Sequence, residues 1–127
     1  MSRIETYRTT IVLQINDAEI ELNINTSLAR GWKELQDVIA KEMADGEQVK
    51  QVLQVDQKAG AGLFITKEAE NAKLYIDAIQ TALTPTEYSK IADIIEYMDI
   101  RALRQIAIEI INRYTAYYDE RVKEFAQ

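Results

Sequence analysis

Residues 7–25 have the sequence YRTTIVLQINDAEIELNIN, in which apolar and polar side chains alternate along two halves separated by Asn16 and Asp17. A period of two places successive side chains on opposite faces of a strand, so each half predicts a β-strand. Asn16 and Asp17 both tolerate the positive φ that a two-residue hairpin turn requires. We therefore predict an antiparallel β-hairpin with one buried face and one solvent face. The buried face consists of Tyr7, Thr9, Ile11, Leu13, Ile15, Ile20, Leu22 and Ile24, and the solvent face includes Glu19, Glu21 and Asn23.

The segment after the hairpin predicts helices, which the hairpin needs as a cover because two strands alone are marginally stable in water. Thr26 or Ser27 is placed to cap a first helix that ends near Gly46. Trp32 lies on the apolar stripe of this helix, and we interpret it as a core anchor in preference to a platform for stacking a ligand. The stripe consists of Leu28, Trp32, Leu35, Ile39 and Met43.

Residues 47–66 fit either a short helix or a strand, and Gly60 and Gly62 interrupt both patterns. We expect residues 62–65 to form a short extended piece, with a third strand as an option. The two glycines are not followed by the lysine and the serine or threonine of a Walker loop. A flexible connector is therefore favoured over a phosphate-binding loop.

Two helix starts are predicted further along the chain. Thr66 can cap a helix, and Thr84-Pro85-Thr86-Glu87 ends that helix and begins another. In this tetrad Thr84 is the N-cap, Pro85 takes the first helical position and Glu87 is placed to close a capping box. The two helices have apolar stripes formed by Ala69, Ala72, Ile76, Ile79 and Leu83, and by Tyr88, Ile91, Ile95 and Met98.

Asp99 offers a break or a new cap before a last helix from Ile100 to about Phe125. This helix would be ~39 Å long, which is more than a domain of this size needs to close its core. Its apolar arc is wider than the ~100° that a surface helix buries, so it faces two neighbours. Both neighbours can lie within the chain, or one can belong to a second copy, which three nearby tyrosines favour. The predicted interface residues are Ile106, Ile110, Tyr114, Tyr117 and Tyr118.

The length of 127 residues predicts a single domain, residues 1–127, of the α+β class. Its hairpin, residues 7–25, packs on about four helices in a mainly helical part, residues 28–127, which ends in a long C-terminal helix. The net charge of −6 disfavours nucleic acid and anionic membranes as partners. No stretch approaches the ~20 apolar residues of a membrane span and no apolar leader segment is present, so we expect a cytoplasmic protein.

Cysteine and histidine are both absent, which excludes disulfides, cysteine nucleophiles and the Ser-His, Cys-His and zinc-binding arrangements. No enzyme, cofactor or metal site is predicted. Asp93, Glu96 and Asp99 have the spacing for acid-base work or for a hard cation, but a solvated polar face is favoured. Arg101 and Arg104 form an alternative ligand-binding set with the tyrosines of the last helix, although its acid-base pairs four residues apart favour a solvated face.

The order of elements resembles that of the small tail-assembly chaperones of long-tailed bacteriophages. The resemblance rests on the hairpin at residues 9–22 (TTIVLQINDAEIEL) and on amphipathic helices that end in residues 114–121 (YTAYYDER), and it covers most of the chain as architecture. It implies a non-enzymatic protein, in the host cytoplasm if the chain is phage-encoded. It also implies a homo-oligomer that coats a helical tape-measure protein during tail assembly.

A small inhibitor or sponge protein is the rival class. Such a protein would block a host protein, or sequester a nucleotide in a pocket between subunits. Arg101 and Arg104 would then pair with phosphate while tyrosines stack on the base. The neighbouring genes distinguish the two classes, because a tail chaperone gene is expected between a tail-tube gene and a very long gene for a helical protein.

Overall fold

A computed structural model of the chain describes residues 10–24 and 29–126. Two strands are followed by five helices in these residues, and no third strand is among them. The predicted α+β class is therefore confirmed, with a two-stranded antiparallel sheet first and a long helix last. The elements are β1 (Thr10–Ile15), β2 (Ala18–Asn23), α1 (Ala29–Val55), α2 (Gln57–Ala82), α3 (Pro85–Ser89), α4 (Ala92–Ile95) and α5 (Ile100–Ala126).

The two strands form the predicted antiparallel hairpin, joined by a turn at Asn16. Asn16 has a φ of 56°, the left-handed conformation that a tight hairpin turn requires and that asparagine tolerates. Ile11 pairs with Leu22, and both side chains are buried against the helices. The predicted alternation is thus confirmed in the described part of the hairpin, while Tyr7 and Thr9 lie outside it.

The helices α1 and α2 form a helical hairpin, and each of them is ~40 Å long. They replace four predicted features, which are therefore wrong: the helix end near Gly46, the flexible connector at Gly60 and Gly62, the extended piece at residues 62–65 with its optional third strand, and the cap at Thr66. The actual break lies at Asp56. The Asp56 carboxylate caps α2 by accepting a hydrogen bond from the backbone N–H of Ala59 at 3.1 Å.

The long helices continue through their glycines because each glycine costs only ~1 kcal/mol in a helix interior, which extended packing against a neighbouring helix offsets. Two glycines also permit that packing. A Cβ atom on Gly31 would lie 2.5 Å from the Cα of Ala82, and one on Gly60 would lie 2.9 Å from the Cα of Leu53. Gly31 and Gly60 therefore let the two helices approach closely near both ends of the helical hairpin.

The first turn of α1 carries Trp32, which is half-buried and packs against the core. This position agrees with the predicted role as a core anchor. Its indole N–H is buried and has no hydrogen-bond partner among the residues that the structure describes. The predicted caps Thr26 and Ser27, and the stripe residue Leu28, lie outside the described residues.

The cap signal before α3 is confirmed, because the Thr84 hydroxyl accepts from the backbone N–H of Glu87 at 3.3 Å and Pro85 takes the first helical position. The Glu87 carboxylate, however, makes different contacts from those of the predicted capping box. It accepts a hydrogen bond from the backbone N–H of Asn23 at 2.8 Å and one from Lys90 at 2.9 Å. Glu87 thereby ties β2 to α3.

The helix predicted after this cap is broken into the short α3 and α4, and α5 then begins with Asp99 as its cap. The Asp99 carboxylate accepts from the backbone N–H of Arg101 at 2.7 Å. The predicted long last helix is confirmed. None of the helices in the described ranges is long and apolar enough to cross a membrane.

The core lies in one half of the helical hairpin. We call this the base half, formed by the start of α1 and the end of α2, and we call residues 46–55 of α1 with residues 57–66 of α2 the tip half. Among residues 46–66 only Val49 and Gly60 are buried. The main buried residues are Ile11, Leu22, Leu35, Tyr75, Ile79, Ile91, Ile95, Leu103, Ile106, Ile110 and Tyr114.

Candidate functional site

Three helices meet at the Glu42 side chain, near the middle of α1. The guanidinium of Arg104 on α5 donates two hydrogen bonds to the Glu42 carboxylate, at 2.7 and 2.5 Å. The hydroxyl of Tyr75 on α2 donates a third, at 2.6 Å. This cluster fixes the first turns of α5 against the middle of the helical hairpin, since a two-pronged arginine-carboxylate pair restricts both distance and orientation.

The cluster holds its carboxylate charged. Burial opposes ionisation of Glu42, but the hydrogen bonds from Arg104 and Tyr75 outweigh it and hold the pKa of Glu42 below its usual range. Burial, and then the bond to Glu42, raise the pKa of Tyr75 above its usual value. Both shifts move away from neutrality, so neither group is poised for proton transfer near pH 7.

A second polar cluster joins α1 to α2 next to the first. Asn71 is only 2% exposed, and its side chain accepts from Lys41 at 2.9 Å and donates to Asp45 at 3.0 Å. Lys41 also pairs with Asp45 at 2.7 Å and with Glu70 at 2.8 Å. The hydrogen bonds from Lys41 and Asn71 lower the pKa of Asp45. The buried amide is thus satisfied on both sides, as buried polar groups require.

An open cleft of about 720 Å³ lies beside these clusters, where α1, α2 and the start of α5 meet. Phe64 on α2 lines the cleft and is 52% exposed, and Met43 on α1 is also exposed. Arg101 and Glu68 are among the polar residues at its side. We call this cleft the tip groove, because it opens towards the tip half at Gly46, Val49 and Phe64. Its apolar lining consists of Ile39, Met43, Val49, Phe64 and Ile100.

The predicted interface residues on α5 fall into two groups. Ile106, Ile110 and Tyr114 are buried in the chain's own core, so they are not available as a contact surface for another molecule. Sequence spacing placed them on a wide apolar arc but did not tell which side of that arc the chain itself covers. Tyr117 is half-buried and Tyr118 is exposed.

The exposed apolar surface of α5 therefore lies towards its C-terminal end. Val122 is 62% exposed and Phe125 is 93% exposed, and both follow Tyr118 along the helix. The ring of Tyr118 stacks on that of Tyr114 with 5.4 Å between centroids and meets the Tyr117 ring edge-on at 5.1 Å. We call residues 117–126 the α5 end.

The two arginines of the alternative ligand-binding set lie beside the tip groove, and each is paired with a carboxylate of the chain. Arg104 binds Glu42, and Arg101 binds Asp99 through its Nε at 3.1 Å. A phosphate would have to compete with these carboxylates for either guanidinium. Both arginines thus make structural contacts, and their predicted contact with a nucleotide stays a prediction.

The acidic residues considered for acid-base work or a cation do not form a site in the described residues. Asp93, Glu96 and Asp99 are all exposed, and α4 ends at Ile95, between the first of them and the other two. No group of three acidic residues in the described part of the chain is arranged to hold a metal ion. The favoured prediction of a solvated polar face agrees with this exposure.

Sequence reasoning missed Glu42, Asn71 and Tyr75, which hold the three helices together. A signal was present for two of them. Asn71 and Tyr75 share a face with Ala78 and Ala82 at spacings of four, three and four, and this face is buried. The apolar stripe predicted for α2 lies beside this buried face, because the prediction relied on the larger aliphatic side chains.

Comparisons of this chain with protein-family models, with curated proteins and with solved structures give no match. No residue role is transferred from another protein. The site is interpreted from its own geometry, in which the tip groove is an open cleft with an apolar lining and the two polar clusters define one of its walls.

Proposed function

We propose that this chain is a non-enzymatic binding and assembly protein whose tip groove binds an amphipathic helix of a protein partner. One observation carries the proposal: α5 covers the groove between α1 and α2 only in the base half. Beyond the start of α5 the cleft is open towards the tip half, with Phe64 and Met43 exposed along it. The described residues form a three-helix bundle in one half and a two-helix hairpin in the other.

A two-helix hairpin cannot bury the apolar sides of both helices without a third element. Contiguous exposed apolar surface of this kind marks interaction sites on soluble proteins. A groove between two helices accepts a third helix through apolar side chains at positions i, i+3, i+4 and i+7. The polar residues Arg101 and Glu68 at its side would favour a partner with charges flanking its apolar stripe.

The tail-assembly chaperone hypothesis is the specific form of this proposal. Its partner would be a helical tape-measure protein, which presents amphipathic helical segments, and the chaperone would also assemble with itself. The support is the resemblance in architecture together with an open cleft with an apolar lining between helices. A gene for a very long helical protein beside the gene of this chain would strengthen it, and co-expression with that protein would then test the contact directly.

The helix-binding proposal is tested with a panel of fluorescent amphipathic peptides that differ in the size of their apolar side chains. We expect at least one peptide to bind the full chain by fluorescence anisotropy, and Phe64→Glu to weaken its binding at least tenfold because a charge would enter an apolar contact. Ile65→Glu is the matched control, since Ile65 is 67% exposed on the same helix and does not line the cleft. Equal binding by both variants, or no binding by any peptide, would count against the proposal.

A further inference from the structure

We propose that the α5 end of one copy of this chain binds in the tip groove of a second copy. The inference rests on the proposed helix-binding function and names one occupant of the groove. Each copy has both surfaces, so each copy can donate an α5 end and accept another. Three features support this occupant: continuity of the groove, the lengths of the two segments and the chemistry of the two surfaces.

The tip groove is continuous with the groove that α5 occupies within its own chain. Ile100 and Arg101 at the start of α5 line the same cleft as Gly46 on α1 and Phe64 on α2. One turn later, Arg104 contacts Glu42, which is farther from the tip. The helix α5 therefore starts near the middle of the helical hairpin and runs towards the base, and no other helix of residues 10–24 and 29–126 covers the tip half.

The uncovered half of the helical hairpin and the uncovered end of α5 have matching lengths. The tip half has ten residues on each helix, residues 46–55 and 57–66, and each segment spans about 15 Å. The α5 end, residues 117–126, also has ten residues and the same length. All of these α5 residues except the half-buried Tyr117 are exposed, so they lie beyond the part of α5 that packs on its own chain.

The two surfaces also match in chemistry. The apolar stripe that α5 buries in its own chain continues from Tyr114 to Tyr118, Val122 and Phe125, at spacings of four, four and three. This segment is the continuation of a helix that packs between α1 and α2 at the base. The same two helices provide Met43, Val49 and Phe64 in the tip groove. Up to Tyr114, the stripe packs against α1 and α2 of its own chain. Beyond Tyr114, the exposed part of the stripe can pack against α1 and α2 of a second copy.

The joint is heterologous, because the two surfaces that meet are different patches of the chain. Such a joint can be broken from either side and restored by mixing. Phe64→Glu damages the groove and leaves the α5 end intact. The double variant Val122→Glu/Phe125→Glu damages the α5 end and leaves the groove intact, and both of its side chains are exposed, so folding is preserved.

Light scattering on the full chain over a range of concentrations tests this joint. We expect the mass of the unmodified chain to rise with concentration, and each variant to stay at the mass of one chain at concentrations at least tenfold higher. Ile65→Glu and Ala116→Glu are the matched controls, since each adds the same charge at an exposed position off the proposed contact. Both controls should associate like the unmodified chain.

A mixture of the two variants gives the decisive result, a complex of one copy of each, because only one intact α5 end and one intact groove can meet. A monomeric unmodified chain at all concentrations overturns the inference, whether the groove is then empty, filled by another protein or covered by residues 1–9. Association that survives either variant also overturns it. The helix-binding proposal is judged separately by the peptide titration, which a monomer can pass.

Discussion

The four glycines of the chain all lie inside α1 and α2, and the space around them differs. Gly60 touches the backbone of Leu53, whereas a Cβ atom on Gly62 would meet nothing within 4 Å. We expect Gly62→Ala to raise the free energy of unfolding by about 0.5–1 kcal/mol, because alanine loses less backbone entropy in a helix. Gly60→Ala should lower it by about 1–3 kcal/mol, because the helices must move apart.

Urea unfolding of both variants at one protein concentration measures the two changes. Gly31→Ala, at the other close contact, should behave like Gly60→Ala because its Cβ atom would meet the Ala82 backbone. A gain of stability in Gly60→Ala would show that the two helices are not in close contact there. The sequence alone does not separate these glycines, since the difference depends on which one faces the neighbouring helix.

Glu42 gives a prediction about pH. The pKa of Glu42 is lowered in the folded chain, so its contribution to stability is present at pH values above the pKa of an unfolded glutamate, ~4.3. That contribution is lost as the pH falls through the folded value. We expect the unmodified chain to lose stability more steeply than Glu42→Gln between about pH 5 and pH 3.

Near pH 7 Glu42→Gln should be less stable by about 1.5–3 kcal/mol, because charge-assisted hydrogen bonds from Arg104 and Tyr75 become neutral ones. Urea unfolding across this pH range gives both numbers. Parallel stability profiles for the two proteins would contradict the role of Glu42. The difference in stability between the two proteins isolates Glu42, because Asp45 and Glu70 also have lowered pKa values and add to the pH dependence of both proteins.

At the scale of elements, the sheet is held to the helices by polar contacts as well as by its apolar face. The Glu87 carboxylate accepts from the Asn23 backbone, and Lys90 donates to the backbone carbonyl of Glu21 at 3.1 Å. We expect Glu87→Ala to lower the free energy of unfolding by about 1–3 kcal/mol, because a backbone N–H of β2 loses its charged acceptor. Thr86→Ala is an exposed control in the same helix, and an equal loss in that variant would assign the effect to α3 itself.

The elements also show how much of the fold the sequence could predict. The hairpin, the Thr84 cap and the last helix were predicted because each has a local signal: a period of two, a capping tetrad and a long apolar stripe. The boundary between α1 and α2 was misplaced because Gly46 and Gly62 are local helix breakers, and the long contact between two helices outweighs them. The break lies at Asp56, an N-cap residue whose neighbours Val55 and Gln57 give no signal of a helix end.

For the whole molecule, the sequence predicted a long last helix with a wide apolar arc and left open whether its own chain covers that arc, and the structure places the exposed part of the helix at residues 117–126. The candidate groove could not be predicted in the same way. It arises because α5 begins beside Glu42 and Tyr75, a meeting of residues distant in sequence. Local patterns indicate which side chains are apolar, but the point at which one helix crosses two others is set by such long-range contacts.

The uneven burial predicts uneven stability along the two long helices. Hydrogen exchange follows local opening, which costs little where few apolar side chains are buried. In dilute protein we expect amides of residues 46–66 and 117–126 to exchange faster than those of the base half, where Leu35 and Ile79 are buried. Mass spectrometry of exchanged peptides measures this difference, and uniform protection along α1 and α2 would contradict it.

Raising the protein concentration turns the same measurement into a test of the joint between copies. If the α5 end fills the tip groove of a second copy, residues 46–66 and 117–126 gain protection together, because binding removes the open states of both segments. In Phe64→Glu both segments should stay unprotected at the same concentration, whereas Ile65→Glu should follow the unmodified chain. Protection that appears at only one of the two segments would place the contact elsewhere, since a heterologous joint must cover one surface of each kind.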